Sequence, residues 1–174
     1  MANFKKGSVR MSKLIILRGN SGSGKTTVAN RLQKQLGENT LVVSQDIVRR
    51  TMLKTHDREN NLSINLISQI AKYGKANCDI CIVEGILVKE YYGEMLITLM
   101  ADFDEAYVYY FDVPFEETLV RHQQRKQSAE FDGNKMKSWW VDSDYLGTIN
   151  EKLLTTEMTE THLVSFILSD IADD

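Results

Sequence analysis

Short apolar runs alternate with longer amphipathic ones along most of this chain. Lys13–Arg18 encloses the aliphatic run Leu14 to Leu17 with no polar alternation, which suits a strand covered on both faces. Lys25–Leu36 sets Val28, Leu32 and Leu36 four apart, a helical stripe, and Gly37 follows where a helix-ending glycine belongs. Thr40–Ser44 predicts a second strand. Asp46–Lys54 and Asn60–Asn77 predict helices, the second with Leu62, Leu66, Ile70 and Tyr73 on one stripe. Ile80–Val83 predicts a third strand, Lys89–Met100 a helix and Ala106–Phe111 a fourth strand. Pro114–Lys126 predicts a helix with proline in its first turn, where the missing N–H costs nothing. Residues 127–147 are polar, hold Trp139 and Trp140, and are expected to form a mobile excursion. Ile149–Thr155 predicts the fifth strand and Glu157–Ile171 the last helix.

This alternation predicts an α/β fold: a five-stranded parallel sheet between helical layers, a three-layer α/β/α sandwich. Ligands of such sheets bind beyond the C-terminal ends of the strands. No repeat, low-complexity tract or proline-rich linker divides the chain, and Pro114 is its one proline. Residues 1–11 are expected to be a flexible N-terminal tail and 12–174 a single domain, with a lid at about 127–147.

Composition changes this picture little. The chain has 174 residues, 43% hydrophobic and 26% charged, which excludes wholesale disorder. The Leu14–Leu17 run is too short for a transmembrane span or a signal-peptide core. Two cysteines make no disulfide framework, so a reducing, cytoplasmic setting is expected. Cys78 and Cys81 form a lone C-x-x-C with no second pair for zinc, and Cys81 falls inside a strand, so both read as structural. Charge adds more. The net −3 divides into 12 Lys/Arg against 4 Asp/Glu over the first sixty residues, and 9 against 20 over the rest. A basic first third suits an anionic ligand, and equally a basic tail with solvated helix faces.

One motif decides the class of chemistry. Gly19-Asn20-Ser21-Gly22-Ser23-Gly24-Lys25-Thr26 fits G-x-x-x-x-G-K-[ST] without departure, between a buried strand and a helix, with Thr27 next in line. Three glycines let the loop fold back so that successive backbone N–H groups cradle a phosphate, and the helix N-terminus adds partial positive charge. Lys25 can reach β- and γ-phosphates, and the Thr26 hydroxyl can take a position on Mg²⁺. The loop therefore binds a nucleoside triphosphate, ATP with Mg²⁺ being expected.

Other residues must settle the fate of the γ-phosphate. Asp46 follows the second strand, where a carboxylate can take the proton of an attacking hydroxyl, and where it also suits a helix N-cap. Arg49, one turn on, shares its face and can hold the acceptor. Glu84 ends the third strand as a Walker B acid does, able to hold Mg²⁺ through a water or orient a substrate, or simply to pair with a nearby cation. Arg121 and Arg125 share a helix face before the excursion, where arginines can neutralise a transferring phosphoryl group or stack on adenine, or merely complement a helix end. Trp139 or Trp140 can line an acceptor pocket or pin the excursion to the body.

These residues resemble the P-loop kinases of the nucleoside-monophosphate-kinase type over about residues 12–172. Gly19 to Thr27 has the loop form of small-molecule kinases such as gluconate kinase, adenylylsulfate kinase, uridine kinase, chloramphenicol phosphotransferase and zeta toxin. Phe111 to Arg125 looks like that group's strand–helix–lid passage, and Glu130 to Leu146 looks like its uridine-kinase-like or zeta-toxin-like subgroup. The resemblance implies strand order 2-3-1-4-5, Asp46 as the base and Arg121 and Arg125 as lid arginines. Asp46-Ile47-Val48-Arg49-Arg50 lacks the aromatic-rich stretch of true uridine kinases. Its Asp-x-x-Arg spacing also resembles the polynucleotide 5′-kinases, in which the arginine holds the acceptor's phosphate, a role that maps onto Arg49. The sequence thus points first to an ATP- and Mg²⁺-dependent kinase of a small-molecule hydroxyl. A polynucleotide 5′-hydroxyl kinase and a nucleotide-binding switch without transfer stand as alternatives. No membrane partner is expected, and a nucleic-acid partner only on the second reading.

Overall fold

The computed structural model describes residues 11–123 and 133–172. Strands β1 (Lys13–Arg18), β2 (Thr40–Ser44), β3 (Ile80–Gly85), β4 (Glu105–Phe111) and β5 (Glu151–Leu154) form one sheet in the order β2-β3-β1-β4-β5. Every pairing is parallel. The helices are α1 (Lys25–Leu36), α2 (Leu62–Asn77), α3 (Lys89–Asp102), α4 (Phe115–Gln123), α5 (Gly133–Ser138) and α6 (Glu160–Ala172).

The unbroken apolar run of β1 has a direct cause. Leu14 and Ile16 pack with Ile67, Leu96 and Leu99 on the α2/α3 side, while Ile15 and Leu17 pack with Val28, Leu32 and Ile167 on the α1/α6 side. Neither face meets water, so a polar residue on either would lose its hydration. Gly37 ends α1 with φ +83° and donates its N–H to Gln33.

Several predicted elements shift. The stripe of α2 is displaced: Leu62 and Tyr73 are 69% and 64% exposed, and Ser63, Ile67, Ala71 and Gly74 face inward. Gly74 leaves no room for a side chain, since a Cβ there would stand 2.7 Å from Leu41 and 3.2 Å from Cys81 Sγ. The helix also starts at Leu62 rather than Asn60, because the Asn61 side chain caps it by accepting the Ser63 N–H at 3.0 Å. The helix expected over 46–54 is a π-helical turn, Ile47–Met52, in which Leu53 N–H reaches Val48 O at 3.0 Å. β3 runs two residues past Val83, which places Glu84 inside the ladder beside Leu17 and Ser44. β5 is shorter than 149–155, with Ile149 wholly exposed, and α6 begins at Glu160. The excursion contains α5, and Met136 and Leu146 are buried, so its described part packs on the body.

Burial pushes the Cys81 thiol up to about 12, with Cys78 adding to the shift, and neither cysteine forms a disulfide. The entry to β1 is fastened by Asp104, which accepts Ser12 Oγ at 2.6 Å and Ser12 N at 2.7 Å. These bonds hold the Asp104 carboxyl below the usual carboxylate range. A carboxyl lowered by folding stabilises the fold above its unfolded value, and that contribution disappears as pH falls through the lower native value. Asp104→Asn is therefore expected to lower stability at neutral pH and to flatten the acid limb of a stability-versus-pH curve, measured by urea unfolding between neutral and strongly acidic pH.

Candidate active site

The phosphate-loop motif leaves β1 and enters α1 over residues 19–26. Gly19 has φ +137°, and a Cβ there would lie 2.8 Å from the Phe111 carbonyl, so the loop turns against the end of β4 in a way only glycine permits. Gly22, at φ +81°, meets α4 as closely, with Thr118 O at 3.0 Å. Lys25 is buried at the start of α1, and its Nζ donates to Asn20 O at 2.7 Å and to Ser23 Oγ at 3.1 Å. The loop so closes around its own lysine, beside the positive end of a 12-residue helix. Lysine and helix terminus together fit a phosphate chain.

Thr26 Oγ1 donates to Glu84 Oε2 at 3.0 Å, and Glu84 is only 2% exposed. A hydroxyl and a carboxylate form the hard oxygen pair that Mg²⁺ accepts when phosphates and waters complete its shell. No larger His/Cys/Asp/Glu cluster able to hold a metal occurs among the described residues.

Asp46 lies two residues beyond β2, whose Ser44 pairs with Glu84. Its side chain is 60% exposed, and one carboxylate oxygen accepts from Arg49 Nη2 at 3.1 Å and Arg50 Nε at 3.2 Å. The carboxylate makes no capping bond to the turn that follows, which removes the N-cap explanation for its position. Arg49 is 12% exposed and also donates to Thr55 O at 3.4 Å. Arg121 donates from Nη1 to Ser23 O at 3.1 Å and from Nε to Glu117 at 3.0 Å. It lines a cleft of about 490 Å³ together with Gly24, Thr27, Thr156 and Met158. Arg125 lies outside the described residues.

Some of the site is invisible to motif reading. Arg18, the residue before the phosphate loop, is fully buried. It binds Asp144 at 2.7 Å, Glu151 at 3.2 Å and Leu87 O at 3.0 Å, and lies over the Tyr110 ring. Its one sequence signal is that a cation closes an otherwise apolar strand. Asn20 bonds the Val141 peptide twice, giving Nδ2–H to its carbonyl at 2.8 Å and accepting its N–H at 3.1 Å. Gln45, beside Asp46, is buried over Gly85, where any Cβ would collide with it. It donates to Asp57 at 3.0 Å and accepts Leu87 N–H at 3.0 Å, while Tyr92 OH donates to Asp57 at 2.7 Å. Burial and the Asp57 bond raise the Tyr92 hydroxyl above its ordinary value, so it stays a donor. This network ties the loop that follows β2 to the loop that follows β3.

A family model described as an AAA domain matches residues 14–138, most of the chain. The chain belongs to that AAA domain family. No curated protein sequence matches it. Among solved structures, this AAA domain is similar to the Mycobacterium tuberculosis APS kinase in complex with AMPPNP and APS, at TM-score 0.69 and 20% identity, over 94% of this chain and 99% of that one. It is also similar to a gluconokinase from Sinorhizobium meliloti 1021, at TM-score 0.64 and 14% identity, over 94% of each chain. A third is the Acinetobacter baumannii shikimate kinase in complex with shikimate, at TM-score 0.58 and 17% identity, over 94% of each chain. The AAA domain therefore has the fold of the P-loop kinases, with the strand order that its sequence resemblance implied. No helix of the described residues is long and apolar enough to cross a membrane.

Proposed function

We propose that this AAA domain is a cytoplasmic, Mg²⁺-dependent kinase that moves the γ-phosphate of ATP to a hydroxyl of a small molecule. The observation that carries this reading is the pairing of a phosphate loop, with its Thr26–Glu84 bond, with an exposed Asp46 carboxylate beyond the strand next to Glu84. A nucleotide switch has no use for that carboxylate.

Lys25 and the N–H groups of residues 20–26 hold the β- and γ-phosphates. Thr26 and Glu84 hold Mg²⁺, which neutralises phosphate charge when bound. Thr27 and Arg121 flank the cleft that takes the rest of the nucleotide. Arg49 positions the acceptor. Asp46 takes the proton of its hydroxyl as that oxygen bonds to the γ-phosphorus, and the bond from phosphorus to the β–γ bridging oxygen breaks to release ADP. Arg121 and Arg125 offset the negative charge that spreads over the phosphoryl oxygens in transfer. The small-molecule acceptor is supported by kinship of fold with kinases of APS, gluconate and shikimate.

The test is ADP release from Mg·ATP across a panel of nucleosides, sugars, aminoglycosides and a 5′-hydroxyl oligonucleotide. Stimulation by one small-molecule class is the expected result. Stimulation by the oligonucleotide alone, falling steeply with salt, would establish the polynucleotide reading instead. Tight ATP binding without stimulation by any acceptor would favour the switch.

A further inference from the structure

Asn20 has two jobs in the same residue. Its backbone carbonyl accepts the Lys25 ammonium at 2.7 Å, inside the phosphate cradle. Its buried side chain grips both polar atoms of the Val141 peptide, far along the chain. Downstream of Val141 the chain is fastened. The Asp144 carbonyl and carboxylate bind Arg18 at 2.5 and 2.7 Å, and Tyr145 OH donates to Asp112 at 3.0 Å. Upstream stand Trp140 and Trp139, the only two tryptophans of the protein. The Trp140 ring packs edge-on against Phe115 at 5.0 Å, whereas the Trp139 ring faces the Arg50 guanidinium at 5.9 Å. Arg50 in turn bonds Asp46.

We infer that Asn20 is a positioning residue, through which phosphates in the loop set the placement of Trp139 over Arg50 on the acceptor side. This rests on the nucleotide-binding reading above. The physical course is short. An ammonium has three donors. Phosphate oxygens, as charged acceptors, make stronger bonds to it than a carbonyl does, so they compete for the donor now given to Asn20 O. The Asn20 peptide relaxes once that bond is exchanged. The two-point grip transmits the shift to Val141. Val141 is joined through Trp140 to Trp139, whose N–H bonds Met136 O at 3.2 Å, so the displacement passes along this backbone to Trp139, and from there to the arginine that bonds Asp46. Every link is a contact or a peptide bond in the structure. Coupling is reciprocal, so whatever orders Arg50 also changes nucleotide affinity.

The two tryptophans make this measurable without any acceptor. Mg·AMPPNP is titrated into the full chain while heat is followed by calorimetry and tryptophan emission by fluorescence. The wild-type protein should show an emission change that saturates with the heat. Trp139→Phe should lose most of that change and keep the heat. Asn20→Ala, taken to saturation by its own calorimetric curve, should also lose most of it, while its melting curve without nucleotide shows that it is folded. Should Asn20→Ala melt too low to be saturated, Asn20→Ser supports the same comparison, because a hydroxyl is too short to hold both atoms of the Val141 peptide. Heat without an emission change, a full response from Trp139→Phe, or a wild-type response from a saturated Asn20 variant would each overturn the coupling and leave nucleotide binding intact. Absence of heat from the wild-type protein would overturn the nucleotide-binding reading, and the coupling with it.

Discussion

Asp46→Asn is expected to slow acceptor-dependent phosphate transfer by about 10²- to 10⁴-fold, the usual loss when a positioned general base is removed. Affinity for Mg·ATP should stay close to that of the wild type. The separation of the two effects follows from the sheet. Asp46 leaves β2, while the phosphate loop leaves β1, and β3 runs between them. The carboxylate makes none of the bonds that shape the cradle around Lys25. Asparagine keeps the shape and can still accept from Arg49 or Arg50, but it cannot take a proton. The check is a transfer rate at saturating ATP beside a calorimetric ATP titration. Transfer within about threefold of wild type would show that Asp46 is not the base, because so small a factor is worth under 1 kcal/mol of transition-state energy.

The second large effect concerns stability. Arg18→Met should destabilise the protein by about 3–5 kcal/mol, the cost of removing one partner from a buried ion pair. Asp144 and Glu151, 12% and 4% exposed, would both lose their cation in a setting that water barely reaches. Leu87 O would lose a donor as well. At about 2–4 °C per kcal/mol for a chain of this size, the midpoint of thermal unfolding should fall by roughly 10 °C. Adding Asp144→Asn and Glu151→Gln should restore part of the loss, since it removes the unpaired charges that cause it. A single-variant loss below about 1 kcal/mol, the scale of a surface pair, would show that Arg18 does not anchor this region.

Arg18 also shows where reading of the sequence stops. As the last residue of a strand it looks like a boundary marker. Its partners come from β3's following loop, the segment after α5 and β5, which only the folded sheet brings together. Asn20 is similar: the motif treats it as an unconstrained position, whereas its side chain holds Val141. The π-helical turn after Asp46 and the inward face of α2 likewise differ from what periodicity predicts, because periodicity weighs apolar content. The actual buried stripe is Ser63, Ile67, Ala71 and Gly74, and at Gly74 the chain leaves no room for a side chain beside Leu41 and Cys81.

What the sequence determined by itself is the class of fold and the phosphate chemistry. Both are local. Strand and helix periods are set by neighbours a few residues apart, and the Lys25 ammonium takes two of its partners, Asn20 O and Ser23 Oγ, from the same eight-residue motif. Asp46 and Arg49 were legible for the same reason, since three residues of separation place them in reach of each other. The tertiary structure decided what depends on distant partners: that Glu84 bonds Thr26, that Gln45 and Asp57 brace the loop bearing Asp46, and that the stretch after α5 is fastened to the phosphate loop. No spacing rule reaches those pairs, because a buried polar group takes whichever partner the packing delivers, from anywhere in the chain.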